Sequence, residues 1–335
     1  MIWVAVDAMG GDAAPGCVVD GAVAATRLFD LGVLLVGSAA RIDAELARRG
    51  DYDRDRVRVV NADDVVEMSE SPASALRRKP MASIRVAAEA VARGEASALF
   101  SAGHTGATVM ATHGAFGMLP GVGRPALAAT IPTAGRPAVL LDVGASVECR
   151  PGHLLQFAVM GSAYAHVAFG IEAPRVGLLS IGEEDTKGNE LTRDAHRLLK
   201  SSSLPFIGNV EARNVYAGVA DVIVCDGFTG NVAIKVSEGL VEIAEDLLRE
   251  ELSRSIATRV GSMLTERALR RLRRRIDYSE YGGAPLLGVA GVAVVGHGRS
   301  SAKAVRNAVV LSYRFAAGRF MERVERDIAG TVMHG

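Results

Sequence analysis

The sequence predicts an α/β protein, a doubly wound, mostly parallel sheet with helices on both faces and a helical arm set into it. Three observations carry that prediction. Short apolar runs alternate with helical stretches along most of the chain. The runs, among them VLLVG (33–37) and VGLLSI (176–181), are apolar without a break, the pattern of strands covered on both faces rather than one. A composition of 49% apolar and only 5% aromatic residues, with 37 glycines, suits thin, tightly packed layers better than an aromatic-rich sandwich or a disordered tail. At 335 residues, two lobes or a main domain with an extension are expected.

IWVAVD (2–7) is the first strand and empties into AMGGD, where Gly10 and Gly11 turn the chain toward a helix over 15–29. A strand at 33–37, a helix over 40–49 and the strand VRVVNA (57–62) continue the alternation. SPASALRRKP (71–80) is a short helix ended by Pro80, and its Arg77, Arg78 and Lys79 suit either a solvated face or an anion site. A helix over 83–93 leads to the strand ASALFS (96–101). Residues 96–123 hold no Asp, Glu, Lys or Arg, but glycines and histidines interrupt them. They therefore read as strand, turn and buried helix rather than as a membrane span. PAVLLDVGAS (137–146) is another strand with Asp142 at its end. The helix over 154–169 is apolar nearly all round, so it belongs in the core or in a subunit interface. His153 and His166, with no second ligand at helical spacing, read as structural.

The stretch VGLLSIGEEDTKGNELT (176–192) is the centre around which the chain is arranged. A buried strand runs into a turn hinged by Gly182 and Gly188, and Asn189 with Thr192 places polar groups where a helix opens. A strand end aimed at a helix start is where α/β proteins hold ligands. Lys187 is the one cation of that turn, among Glu183, Glu184, Asp185 and Glu190, so a carboxylate partner is expected for it. PFIGNVEARNV (205–215) adds a strand. VIVCDGFTGNVAIKV (222–236) then repeats the pattern of SAGHTGATVMA (101–111): apolar strand, GxTG, helix. Such turns either gather backbone N–H groups on an anion with the helix dipole behind them, or serve only close strand–helix packing. If they gather an anion, several phosphate-like or oxyanion contacts are expected at one sheet edge.

After residue 236 the character shifts to long helices. An amphipathic helix over 236–252 is followed by Leu252, Ile256, Val260 and Leu264 at helical spacing and then by ALRRLRRRI (268–276) with Arg270 and Arg271, the most basic stretch of the chain. A helix of this kind can lie on an anionic membrane surface, receive an acidic protein or pair with a second subunit. The expected organisation is an α/β catalytic core over 1–248 and 286–330, with a basic helical arm, 249–285, inserted before the last strand and helix. That strand is VAVVG (292–296), followed by the turn HGRSS, with His297 at the junction, and a helix to about residue 328.

Charge and cysteine usage exclude whole classes of function. The 38 basic and 38 acidic residues cancel, so no overall field recruits nucleic acid. Cys17, Cys149 and Cys225 are isolated and lack CxxC spacing, which argues for a reducing compartment and against a disulfide frame or zinc site, and Cys225 reads as a buried, inert thiol. The start, MIWVAVDAMGGD, has no basic leader, so no secretion signal is expected. AMGGD carries neither GxGxxG nor a Walker lysine, so no nucleotide cofactor is expected, and no metal-ligand set is evident.

DAMGGD (7–12), SAGHTGA (101–107), LDVGAS (141–146), IGEEDTKGNELT (181–192), FIGNVEAR (206–213) and CDGFTGNVAIK (225–235), in this order, resemble the phosphate acyltransferase (PlsX) family of bacterial phospholipid synthesis. The resemblance implies a Rossmann-like fold similar to phosphotransacetylases and isocitrate dehydrogenase-type enzymes. It implies transfer of a long-chain acyl group from acyl carrier protein to inorganic phosphate, with the acyl phosphate passing to a membrane glycerol-3-phosphate acyltransferase. It further implies a homodimer that is cytoplasmic, peripherally bound to the membrane and free of cofactors. Lys187 becomes the cation for phosphate or oxyanion and Asn231 a neutral donor to the oxyanion. Gly10, Gly11, Ser101, Gly103, Thr105, Gly106, Thr229 and Gly230 line the cradle, with His104, Asn189 and His297 beside it, while Asp7, Asp142 and Asp226 order the loops. Leu252, Ile256, Val260, Leu264, Arg270 and Arg271 become membrane or carrier contacts. The carrier docks either on this arm or on Arg77 to Lys79.

His104 stands where the family has asparagine in SAGNTGA, Ser146 where it has asparagine in LDVGAN, and HGRSSA varies the run after HG. At this position His104 either replaces the amide donor or makes one contact pH-sensitive. A short-chain phosphotransacylase using coenzyme A shares every cradle, and acetyl against palmitoyl donors separate the two. A non-catalytic nucleotide-binding or membrane scaffold predicts tight nucleotide binding without phosphate-dependent thioester cleavage.

Overall fold

The computed structural model describes residues 1–255, 258, 261, 265–267 and 281–332. Among these residues the strands form two sheets, not one. The first contains β1 (Ile2–Asp7), β2 (Leu31–Gly37), β3 (Val57–Asn61), β4 (Ala98–Ser101) and β5 (Ala126–Leu127). The second contains β6 (Ala129–Ile131), β7 (Ala138–Leu141), β8 (Val176–Ser180), β9 (Phe206–Glu211) and β10 (Val222–Val224). β11 (Ala284–Leu287) and β12 (Val292–Val295) return to the first, giving the orders β3-β2-β1-β4-β12-β11-β5 and β6-β7-β10-β8-β9. β3, β2, β1, β4 and β12 are parallel, as are β7, β10, β8 and β9. The antiparallel pairs are β11 with β12, β11 with β5 and β6 with β7, so each involves one of the short strands β5, β6 and β11. These three were not foreseen. Each spans two to four residues, too few for an apolar period to show.

Unbroken apolar strands are covered on both sides, as the composition implied. In β1, Val4 and Val6 enter one core while Ala5 enters the other, and in β10 Val222 and Val224 divide from Ile223 in the same way. The helices between the strands are α1 (Gly16–Thr26), α2 (Ala39–Arg49), α3 (Pro72–Arg78), α4 (Ser83–Ala92), α5 (Thr105–Phe116), α6 (Pro151–Phe169) and α7 (Glu190–Ser201). They are followed by α8 (Gly227–Ser253), α9 (Ala302–Ala317) and α10 (Phe320–Val332). α6, apolar all round, is the central core helix, burying Leu154, Phe157, Met160 and Tyr164. His153 is structural there, its ring Nδ1 accepting the Arg150 N–H at 3.1 Å.

Three elements differ from expectation. α5 is covered on one side only, since Met110 is 44% exposed. The closing helix is two helices, broken at Gly318 and Arg319, and Arg319 takes a left-handed φ of 49°. α8 runs 27 residues without interruption from the GFTG turn, so the arm assigned to 249–285 shares its first residues with α8 and its last with β11. Leu252 is half-buried near the end of α8. Ile256, Val260, Leu264, Arg270 and Arg271 lie outside the described residues. Among the described residues no helix is long and apolar enough to cross a membrane.

Candidate active site

Parallel neighbours present their C-terminal ends at one edge, which fixes where the turns fall. In the first sheet the turns after β1, β4 and β12 lie side by side, and in the second those after β7, β10 and β8 do. α8, which starts at the second edge, reaches the first. Its Glu242 holds Arg299 of the β12 turn at 2.9 Å, and its Lys235 and Glu238 act electrostatically on His297. The glycine turns expected at one sheet edge are therefore divided over two edges that α8 ties together.

At the first edge Asp7 is opposite Ser101 in the β1–β4 register. The Ser101 hydroxyl donates to Asp7 Oδ2 at 2.7 Å and accepts the Gly103 N–H at 3.1 Å, while the Met9 N–H donates to Asp7 Oδ1 at 3.2 Å. Asp7 is 3% exposed, and burial raises its carboxyl above the usual 3.8 despite these donors. Gly10 and Gly103 let the two turns touch, because a Cβ on Gly10 would stand 2.6 Å from the Gly103 nitrogen. The Asp12 N–H donates to the Gly298 carbonyl at 2.8 Å, joining the β1 turn, Gly11 included, to the β12 turn. Burial, then Lys235 and Arg299, lower the pKa of His297, whose Nδ1 accepts the Arg299 N–H at 3.1 Å. His104 caps α5, its ring Nδ1 accepting the Gly106 N–H at 3.1 Å, with Thr105 and Gly106 half-buried on the first turn.

At the second edge Asp142 is fully buried, and its carboxylate accepts four backbone N–H groups. Those of Leu127, Gly144 and Ala145 lie at 2.8, 3.0 and 3.0 Å and that of Ser146 at 2.5 Å. Burial raises its pKa against those four bonds. Asp226 caps α8 by accepting both the N–H and the hydroxyl of Thr229, at 2.9 and 2.7 Å. Gly230 is wedged against β7, since a Cβ there would stand 1.9 Å from the Asp142 carbonyl oxygen. Asn231, the next residue, is exposed, with its amide over Gly144.

The third turn of that edge holds Lys187. Its expected carboxylate partner is not there. Asp185 is taken by Lys200 at 2.8 Å and His196 at 3.4 Å, and Glu183 accepts from Asn214 at 2.8 Å. Gly188, at φ +105°, folds the turn so that the stem of Lys187 lies over Gly182, and the exposed ammonium group makes no ion pair among the described residues. Asn189 serves as the N-cap of α7, its Oδ1 accepting the Thr192 N–H at 2.9 Å. β8 and β10 are neighbours, so the free cation and the free amide end adjacent strands.

Neither thiol of the second edge competes as a nucleophile. Burial pushes Cys225 well above 9 and Cys149 up to about 11, so both stay protonated at neutral pH. Of the three cations in α3 and its cap, Lys79 is held by Glu70 at 2.5 Å and by the Val65 carbonyl at 2.6 Å, and Arg78 lies 3.6 Å from Glu70. The matched register of Asp7 with Ser101, and the electrostatic influence of Lys235 and Glu238 on His297, had no sequence signal beyond the turns themselves.

The family model described as fatty acid synthesis protein matches residues 2–323. A phosphate acyltransferase of Heliobacterium modesticaldum is 48% identical over 98% of this chain and 98% of its own. One of Pelotomaculum thermopropionicum is 46% identical over 99% of this chain and 96% of its own. In fold, the chain is similar to a phosphotransacetylase from Streptococcus pyogenes, with a TM-score of 0.64 over 95% of this chain and 94% of that one, at 17% identity.

Proposed function

The chain belongs to the phosphate acyltransferase family, and we propose that it moves a long-chain fatty acyl group from the thioester of acyl carrier protein to inorganic phosphate. It is an acyltransferase of phospholipid synthesis. The observation that carries the assignment of residues is the Lys187 ammonium, without an ion pair among the described residues, at the strand end next to the one that carries Asn231.

A phosphate oxygen attacks the thioester carbonyl carbon, and the C–O bond forms as the carbonyl electrons move to oxygen. Collapse of that oxyanion breaks the C–S bond, and the thiolate takes the proton that hydrogen phosphate gives up. Phosphate is already anionic and a thiolate is an adequate leaving group, so no protein nucleophile is required. The protein's task is to hold two negative charges close together. Lys187 neutralises phosphate, the Asn231 amide donates to the oxyanion, and the turns of both edges, with Gly11, Thr105, Gly106 and His104 at the first, position the acceptor. Preorganisation of this kind is worth about 3–4 kcal/mol for a single oxyanion donor.

Lys187→Ala is expected to cut phosphate-dependent thiol release from acyl carrier protein by at least about a hundredfold, with the melting curve unchanged. Near-normal turnover removes Lys187 from the mechanism. Palmitoyl donors are expected to react and acetyl-coenzyme A not, because the relatives that share nearly half of the sequence are phosphate acyltransferases, whereas the phosphotransacetylase likeness is one of fold.

The acyl phosphate goes to a membrane glycerol-3-phosphate acyltransferase, and the protein works in the cytoplasm at the membrane surface as a homodimer. In support, α8 exposes Phe228, Val232, Val236, Leu240, Ile243 and Leu247, from 46% to 66% each, along one face. A monomer rarely leaves so long an apolar stripe uncovered. The stripe starts beside Asn231, so a second copy seated on it closes over the site. Leu240→Asp is expected to give monomers in sedimentation, and a dimer of unchanged affinity excludes this face. The carrier docks on the basic arm, since Lys79 is already engaged by Glu70.

A further inference from the structure

We propose that a cleft at the C-terminal end of α6 binds a phosphate monoester group, apart from the reaction site. The cleft, about 440 Å³, lies where the last turn of α6 meets the break between α9 and α10, and its polar lining is His166, Arg319, Glu322, Arg323 and Arg326. α6 opens at Pro151 beside the reacting edge, and His166 lies fifteen residues along it, roughly 22 Å away at helical rise.

Four observations converge on an anion. The ion pairs in and beside the cleft are slack. Arg319–Glu322 and His166–Glu172 stand at 3.6 Å and Arg323–Asp327 at 3.7 Å, beyond hydrogen-bond reach. Arg175–Asp221 and Arg299–Glu242, by contrast, close to 3.0 and 2.9 Å. His166 Nδ1 and Arg323 Nε are buried without a hydrogen-bond partner. Arg326 makes no ion pair among the described residues. Arg319 is the one non-glycine residue among them with positive φ, at 49°. Side chains seldom adopt that backbone, and residues held there concentrate at binding sites.

Three guanidinium groups and an imidazole against one lining carboxylate match a dianionic tetrahedral group, to which guanidinium forks bind in pairs of parallel hydrogen bonds. That group is carried either by a soluble phosphate monoester or by the headgroup of a lipid such as phosphatidic acid.

The test is calorimetric titration with phenyl phosphate and flotation with phosphatidylcholine vesicles, with and without phosphatidic acid. Both are run in Lys187→Ala protein so that the reaction site contributes least. One binding event is expected, weakened at least about tenfold by Arg323→Gln and by Arg326→Gln. Binding of phenyl phosphate identifies a soluble ester, and phosphatidic acid-dependent flotation that Arg323→Gln abolishes identifies a headgroup. Arg319→Asn, which suits the left-handed backbone, is expected to weaken binding with no fall in melting temperature. The proposal is overturned if neither probe binds, if both glutamine variants bind as before, or if Arg319→Asn lowers the melting temperature and leaves binding intact.

Discussion

The same four-letter pattern, GxTG, closes a strand in each lobe, and the two copies do different work. Each stands beside a buried aspartate from the neighbouring parallel strand: Asp7 is opposite Ser101 in register, and the β7–β10 register places Asp142 opposite Cys225. In the first copy the serine hydroxyl occupies the carboxylate and also holds the Gly103 N–H. In the second a thiol replaces that hydroxyl and reaches only the Asp142 carbonyl, at 3.5 Å, and the carboxylate accepts four backbone N–H groups, three from its own turn and one, Leu127, from β5 of the first sheet. The caps differ as well. His104, inside the first pattern, starts α5 at Thr105, whereas Asp226, before the second, starts α8 at Gly227. Beginning two residues earlier, α8 drives Gly230 onto β7 and, with the Thr229 hydroxyl held by Asp226, leaves Asn231 as its first unengaged polar side chain. One atom of difference opposite each aspartate accompanies a different helix start, and the helix start decides which residue faces the site.

The contrast is broken or sharpened first at the last glycine of each copy. Gly230→Ala sets a Cβ 1.9 Å from a backbone oxygen, while Gly106→Ala sets one 3.1 Å from the Pro72 ring, which can shift. Urea unfolding is expected to show a loss above about 4 kcal/mol, or no soluble protein, for the former and a change within about 1 kcal/mol for the latter. Similar losses in the two would erase the distinction. Next come the caps. Asp226→Ala is expected to cost about 1–2 kcal/mol and His104→Ala about 0.5 kcal/mol, with His104→Asn near zero because an amide oxygen can take the same N–H. A larger cost for His104→Asn would assign the ring a further contact.

The smallest effect concerns pH. Burial raises the Asp7 pKa above its unfolded value near 3.8, so the folded state favours the protonated form. The stability this contributes is complete below about 3.8 and is lost as pH rises through the folded pKa. Asp7→Asn is expected to flatten the dependence of the urea midpoint on pH over that window, and an unchanged profile would show that Asp7 does not titrate there.

Much of the fold was legible because parallel strands buried on both faces are written as unbroken apolar runs, as in β2 and β8. The short antiparallel strands β5, β6 and β11 were not, since hydrogen bonds to distant partners, not their own pattern, make them strands. The division into two sheets follows from those same strands: Ala128, between β5 and β6, donates to the Pro285 carbonyl where the chain crosses from one sheet to the other. At the site, Lys187 stood out as the only cation in an acidic turn. Its freedom did not, because two of the carboxylates around it, Asp185 and Glu183, are claimed by Lys200, His196 and Asn214, none of them in the turn. Gly230 reads from the sequence as part of the cradle, with close packing as the alternative, and only the position of the Asp142 carbonyl shows the packing.

What the sequence determined by itself is the material of each strand tip: which turns carry glycine, which carry aspartate, and that one of them carries a lysine. Those are local properties, set by backbone freedom and by the length of apolar runs. Tertiary structure decided the pairings. The register that opposes Asp7 to Ser101 and Asp142 to Cys225, the reach of α8 from one sheet edge to the other, and the gathering of Arg319, Arg323 and Arg326 around His166 all join segments far apart in the chain. Whether two such segments meet depends on how the layers between them pack, a sum over many contacts that no single stretch of residues encodes.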